Sequence, residues 1–527
     1  MHATDYRSLI WVLILGLAPA TALARTSKKV NKSTTSDSGV EAGKTSAPAG
    51  GVESEASQSS VPQPVGATPT MMSPAPDSSV PAAQPQAPVG PAPLESGPTA
   101  LKGKWNPTFY GFIEIDAIHD STQSFANGCP GYFLIARPGT YAGDHGRTIF
   151  DARGSRFGFK LAAPEAYGMK ATAVLEMDFA GNQMPTNYGA NANGISEGAT
   201  YSNPLIRIRH AAIKLESEYV DLLAGQYWQL FGWAPLFLPV TVQIPGFPGV
   251  PYGRSVQFRL SHVFRTQLIG VEVALAAARP PQRNSEYPDA QGGVRVLLNG
   301  WTGAFALGAT GGAFLEMPAS IGVSGAFRRL RVSEFVAEPH GQNDINVGGI
   351  SIDVFLPVIP SSLEDKGNAL NLTANYTNGR GIADLYTPGT MGGAGFPPLP
   401  NPNAVSPAPT WPQDIDNGLV TYQQQSGVLH AIEWQTFMVG GQYYFPPSGR
   451  VWIAANYGYA SSANIASYDL VPAQIVTKYT LWDAVAYVNV TGPVNVACEF
   501  AHITDTYGDG HLATNNRFML SGYYSFY

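Results

Sequence analysis

TFYGFIEIDA, residues 108 to 117, alternates without a break: Phe109, Gly111, Ile113, Ile115 and Ala117 fall on one face, Tyr110, Phe112, Glu114 and Asp116 on the other. A period of two is that of a β-strand whose faces meet different surroundings. An apolar stripe opposite two carboxylates fits a wall with lipid on one side and water on the other, as in a transmembrane β-barrel. The following segments obey the same rule. Gly154 to Ala162 turns Phe157, Phe159 and Leu161 outward and Arg156 and Lys160 inward, and Met169 to Phe179 sends Ala171, Ala173, Leu175 and Met177 out and Lys170, Thr172, Glu176 and Asp178 in. Only Ala163 to Tyr167 separates those two strands, which suits a hairpin turn.

Outward from this stretch, connections alternate in length. Long ones cover about 120 to 147, 181 to 203, 231 to 253, 279 to 290, 380 to 426, 461 to 478 and 503 to 514, whereas Pro446-Pro447-Ser448-Gly449 and Gly492-Pro493 are tight. Long loops at one end and short turns at the other are the build of an outer-membrane barrel. Aromatics gather near strand ends, at Tyr443, Tyr444, Phe445, Trp452, Tyr457, Tyr459, Trp482 and Tyr523 to Tyr527, which predicts interfacial girdles. A first pass finds seventeen segments, and a single-chain barrel with both termini at one end needs an even number. Within 291 to 333, the stretches 303 to 312 and 321 to 333 both resemble strands, but only one is expected to span. The expected fold is therefore all-β, a transmembrane antiparallel β-barrel of about 16 strands, with 18 as the alternative.

Composition agrees. Of 527 residues 44% are hydrophobic and only 13% charged, against roughly a quarter charged in an average soluble chain. After residue 24 no apolar run approaches the ~18 residues that a spanning helix needs, and a net charge of −7 gives no reason to expect nucleic acid. Residues 1-24, with Arg7, the apolar run Leu9 to Leu17 and Ala22-Leu23-Ala24, read as a cleaved signal peptide of an exported protein. Residues 25-104, dominated by Ser, Ala, Pro, Gly, Gln, Val and Thr, have too little apolar surface to fold and are expected to be a disordered periplasmic linker. The barrel then occupies 105-527. The two cysteines, Cys129 in a long loop and Cys498 in a late strand, leave pairing open.

Function in a pore lies in what the lumen presents at its narrowest part. The inward phase offers Arg156, Lys160, Arg207, Arg209, Arg259 and Arg328, set against Glu114, Asp116, Glu176, Asp178 and Glu272. Guanidinium keeps its charge and its planar fork matches carboxylate or phosphate; the alternative is that opposite charges on neighbouring strands simply neutralise one another. Ala234 to Tyr252, APLFLPVTVQIPGFPGVPY, is unusually apolar for a loop and is expected to fold inward as a constriction, or else to contact a neighbouring subunit. No nucleophile elbow, phosphate loop, zinc-spaced cysteine pair or H-E-x-x-H occurs, so neither an enzyme, a cofactor nor a metal is expected.

Several stretches resemble the DcaP-like outer-membrane porins of Gram-negative bacteria: Phe109 to Ala117 (FYGFIEIDA), Arg153 to Phe159 (RGSRFGF), Arg207 to Ala211 (RIRHA), Gly225 to Phe231 (GQYWQLF) and Gly253 to Arg259 (GRSVQFR). Pro288-Asp289 before Val294-Arg295, and Asn378 to Ile382 (NGRGI), complete the series in order. The resemblance implies a trimeric, roughly sixteen-stranded channel for small anionic solutes, with dicarboxylates as the suggested class, and places Arg207, Arg209 and Arg259 at the eyelet. Members of that family often carry a periplasmic coiled coil before the barrel; residues 25 to 100 have no heptads, so a homotrimer here would rest on the barrel walls. The expectation is an outer-membrane porin for passive diffusion of hydrophilic solutes with a preference for anions. The alternative is a non-conducting barrel serving as surface adhesin or cell-wall tether.

Overall fold

The computed structural model describes residues 104–527 except 125–134, 182–203, 243–246, 249, 283–284, 335, 337, 387–414, 416–417, 424–427, 468–471 and 527. The expected signal peptide, the linker up to its last residue and Cys129 lie outside the described residues.

Strands follow in chain order: β1 Asn106–Asp120, β2 Arg147–Asp151, β3 Arg156–Ala162, β4 Lys170–Gly181, β5 Leu205–Glu216, β6 Asp221–Trp228, β7 Arg254–Arg265, β8 Ile269–Ala278, β9 Asp289–Ala306 and β10 Phe314–Ser333. They continue as β11 Gln342–Ile359, β12 Leu370–Arg380, β13 Val420–Gln423, β14 Val428–Ala431, β15 Glu433–Tyr444, β16 Val451–Ser462, β17 Val476–Thr491, β18 Val494–Tyr507 and β19 Leu512–Phe526. β13 and β14 form a separate hairpin. The others make one antiparallel sheet that closes where β1 pairs with β19, from Gly111 opposite Phe526 to Asp120 opposite Arg517.

β2 and β3 occupy one wall position. β2 pairs with the second half of β1 and β3 with its first half, and across the break Ser155 Oγ accepts from Glu114 N at 3.0 Å and donates to Glu114 O at 3.2 Å. The wall thus has sixteen positions, the expected even number. Residues 303 to 306 are the end of the long β9, and 321 to 333 belong to β10.

Alternation sets the two faces. On β1, Phe109, Ile113 and Ile115 are exposed on the outer surface while Phe112, Glu114 and Asp116 are buried inside. The hairpin between β3 and β4 turns on Tyr167 and Gly168, both at positive φ (55° and 70°), the primed geometry that matches strand twist. The aromatic girdle needs correction. Adjacent residues of a strand point to opposite faces, so Phe445, Tyr457, Trp482 and Tyr524 face outward, whereas Tyr444, Trp452 and Tyr523 are buried inside, where Trp452 stacks on Tyr487 at 4.2 Å.

Candidate functional site

Two inward elements shape the bore. The first is the connection from β6 to β7. Its near end is seated on β9 and β10: Gln291 Oε1 accepts from the N–H groups of Leu230 and Phe231, both at 3.0 Å, and Ser324 Oγ accepts from Gly232 N at 2.8 Å. Trp233 lies against Gly293 and Gly322, where an added Cβ would approach the indole to 2.8 and 2.6 Å, so glycine is what lets the ring close on the wall. Its far end is held by the opposite wall. Asn456 donates to Val240 O (2.8 Å), Tyr487 to Thr241 O (3.1 Å) and Tyr523 to Val242 O (2.7 Å), while Glu499 accepts from Val242 N (2.5 Å). Phe231, Phe237, Leu238, Val240 and Val242 are all buried. The apolar loop expected from the sequence therefore crosses the bore, and its hydrophobicity is spent on packing inside the barrel.

The second element comes from the short-turn end. Register between β9 and β10 shifts at Pro318/Ala319, and beyond that bulge the hairpin tip reaches groups on several walls. Asn371 donates to Ala304 O (2.8 Å), Gln442 to Ala306 O (2.8 Å), Asn495 to Gly311 O (2.9 Å) and Arg156 to Ala309 O (3.3 Å). Phe305 packs on Phe355 with centroids 4.4 Å apart. The stretch 303 to 312, one of the two that resemble strands in the sequence, is thus the end of β9 and the turn that follows it inside the bore.

Beside these elements lie two cavities. The larger, about 660 Å³, runs along β3 to β8 and includes Tyr110, Trp228, Leu238 and Leu307 in its lining. Its charged residues are Arg156, Lys160, Arg209, Lys214 and Arg259 against Glu176, Glu216, Asp221 and Glu272, five cations to four carboxylates. The smaller, about 550 Å³, is lined on the β7 to β10 side by Arg254, Arg279 and Arg328 against Asp289 and Asp384. No residue lines both, but Tyr252 borders the larger and Gly253 and Arg254 the smaller, so the cavities abut at Trp228 and Tyr252.

A β-bulge builds the densest charge cluster. Glu176 pairs with His210 and Met177 with Ile208, leaving Arg209 as the extra residue, so Arg209 and His210 both turn inward. Arg209 reaches Glu176 at 2.7 Å and Asp178 at 2.9 Å, while Arg207 grips Asp178 through two bonds of 2.9 and 2.6 Å. Arg156 stands 3.8 Å from Glu176. The buried carboxylates are thus each covered by guanidinium, as low-polarity surroundings require.

Of the other candidates, Lys160 and Arg259 line the larger cavity, and Arg207 lines neither. Arg328 is buried in the smaller one between Asp289, at 2.6 Å, and Asp384. Glu114 and Asp116 are buried at the β1 to β19 seam, away from both cavities; Asp116 accepts from Ser521. Besides buried charges such as Glu499 and Arg517, two residues at the cavities escaped the sequence reading. His210 is displaced by the bulge, and Arg254 stands at the very start of β7, where alternation counted back from Arg259 would put it outside. Among the described residues no group of His, Cys, Asp and Glu could hold a metal ion, and no helix is long and apolar enough to cross a membrane.

No model of a known protein family matches the chain, and no curated protein sequence does. Solved structures do. The outer membrane channel DcaP of Acinetobacter baumannii superimposes with a TM-score of 0.56 at 16% identity, over 81% of this chain and 98% of that one. An anion-selective porin from Comamonas acidovorans (TM-score 0.43, 10% identity, 80% and 100% covered) and the trimer form of OmpT from Vibrio cholerae (0.43, 10%, 80% and 100%) are also similar. The likeness to DcaP establishes a shared fold, a closed antiparallel β-barrel.

Proposed function

We propose that this chain is an outer-membrane porin through which small hydrophilic solutes diffuse passively, anions such as dicarboxylates ahead of cations. The observation that carries this reading is the pair of abutting cavities beside the inward loop, each lined by one more cation than carboxylate. Excess positive charge in a pore with low-polarity walls raises the local concentration of anions. The fold shared with an outer membrane channel supports the same reading.

Wall length supports a homotrimer. β6 has 8 residues and β8 has 10; at ~3.3 Å per residue and a tilt near 45°, β6 rises only about 19 Å, short of the ~25 Å apolar band that lipid demands. That side of the barrel suits contact with another copy.

The test is reversal potential of the reconstituted protein under a salt gradient in a planar bilayer, with a shift toward the chloride potential expected. Cation selectivity would refute the anion preference. The inward hairpin and loop, which reach across the bore to β12, β15 and β16 to β19, favour the second reading of a non-conducting adhesin or tether; silence from a folded, heat-modifiable barrel would select it.

A further inference from the structure

We infer that Arg254 is the residue at which a permeating carboxylate dwells, a binding site at the junction of the two cavities; this rests on the porin reading above. Arg156, Arg207, Arg209, Arg295 and Arg328 each face a carboxylate partner. A guanidinium so paired presents little net charge to a passing ion. Among the described residues, two inward guanidiniums on β7 lack such a partner: Arg254 and Arg259. Arg259 spends its donors on neutral acceptors, Trp228 O at 2.6 Å and Gln257 Oε1 at 2.9 Å.

Arg254 differs from Arg259 in keeping a donor unspent. Its guanidinium carbon lies 5.2 Å from the Trp228 ring and 5.8 Å from that of Tyr252, and its Nη1 is buried with no hydrogen-bond partner. The aromatic faces stabilise the cation and fix its plane, and the idle N–H is costly until an acceptor arrives. Arg254 lines the smaller cavity, which has room for a solute of several heavy atoms; its Nη1 is covered by protein, so a carboxylate meets it through a small rotation of the guanidinium. A carboxylate offers two oxygens in the plane that a guanidinium recognises. Arg259 stands on the other side of Trp228 in the larger cavity, so a solute leaving Arg254 moves toward a second cation. Arg279 also lines the smaller cavity without a carboxylate partner among the described residues, but Arg254 alone is held against the Trp228 and Tyr252 rings at the junction with the larger cavity, where Arg259 lies.

The experiment uses the full chain, reconstituted in planar bilayers, with succinate as the probe and its block of the potassium chloride current as the readout. R254Q is expected to conduct while the succinate concentration for half block rises about tenfold or more, equivalent to at least ~1.4 kcal/mol. R254K, which keeps the charge and loses the fork, is expected to fall between. R137Q/D509N, which neutralises a matched pair lining neither cavity, is the control and should block as wild type does. A conducting R254Q with unchanged block overturns the inference alone, whereas a silent wild-type barrel overturns the porin reading and this inference with it. Should R254Q fail to fold, R254K decides: unchanged block overturns the assignment and weakened block supports it.

Discussion

Substituting Phe for both Tyr487 and Tyr523 removes two hydroxyls and nothing else from the clamp on the inward loop. The rings keep their packing, including the Trp452 to Tyr487 stack. Each lost hydroxyl leaves a buried carbonyl, Thr241 O or Val242 O, without its donor, and such a group costs about 1–3 kcal/mol. The pair therefore weakens the clamp by about 2–6 kcal/mol, at least a thirtyfold shift toward the unseated loop at ~1.4 kcal/mol per decade. Asn456 and Glu499 remain, so the loop stays mostly in place. The assay places a cysteine at Val242, which is fully buried, in a background with Cys129 and Cys498 replaced by Ala, and measures labelling by a water-soluble thiol reagent. Labelling is expected to accelerate at least about thirtyfold in Y487F/Y523F. An acceleration under threefold, with heat modifiability intact, would refute the claim that these hydroxyls hold the loop across the bore.

Other expectations follow from neighbouring features. Arg328→Met leaves Asp289 and Asp384 buried without their cation and should cost about 3–5 kcal/mol in urea unfolding, most of it recovered when both aspartates become Asn. Gly322→Val drives a side chain into Trp233 and should cost about 1–3 kcal/mol, whereas Gly325→Val, whose nearest contact is 3.6 Å away, should be much milder in the same unfolding measurement. In the loops, the Arg137 guanidinium 2.7 Å from Asp509 holds that carboxyl down to about 2. Because the folded value is depressed, the contact contributes fully above the ordinary aspartate range and is lost as pH falls from there through about 2. The carboxyl carbon shift of Asp509 should titrate at that lower value, and R137Q should return it to the ordinary range.

Much of the wall was legible because lipid on one side and polar groups on the other force a period of two. Glu114, Asp116, Glu176 and Asp178 fell on the inner face for that reason alone. Legibility failed where the period itself breaks. The bulge at Arg209 and His210 turns two consecutive residues inward, and Arg254, paired with Trp228 at the very start of β7, stands out of phase with Arg259. Residues 303 to 312 misled for a different reason: Ala304, Phe305 and Ala306 are all buried, so no face of the hairpin tip is polar and no alternation marks it as the end of β9. Which Arg meets which carboxylate was out of reach, since Arg207 opposite Asp178 depends on cross-strand register, and that is set by bulges invisible in composition.

The abutting cavities have an electrical consequence. Water-filled spaces conduct, so a voltage applied across such a barrel falls mainly where protein displaces water, and Trp228 and Tyr252, which line the larger cavity beside Gln229 and Gly253 of the smaller, stand at one such place. An ion would therefore feel a concentrated part of the membrane potential beside those rings rather than an even fall over the height of the bilayer. Substitutions at those rings should change the voltage dependence of current far more than equal changes of charge elsewhere along the wall.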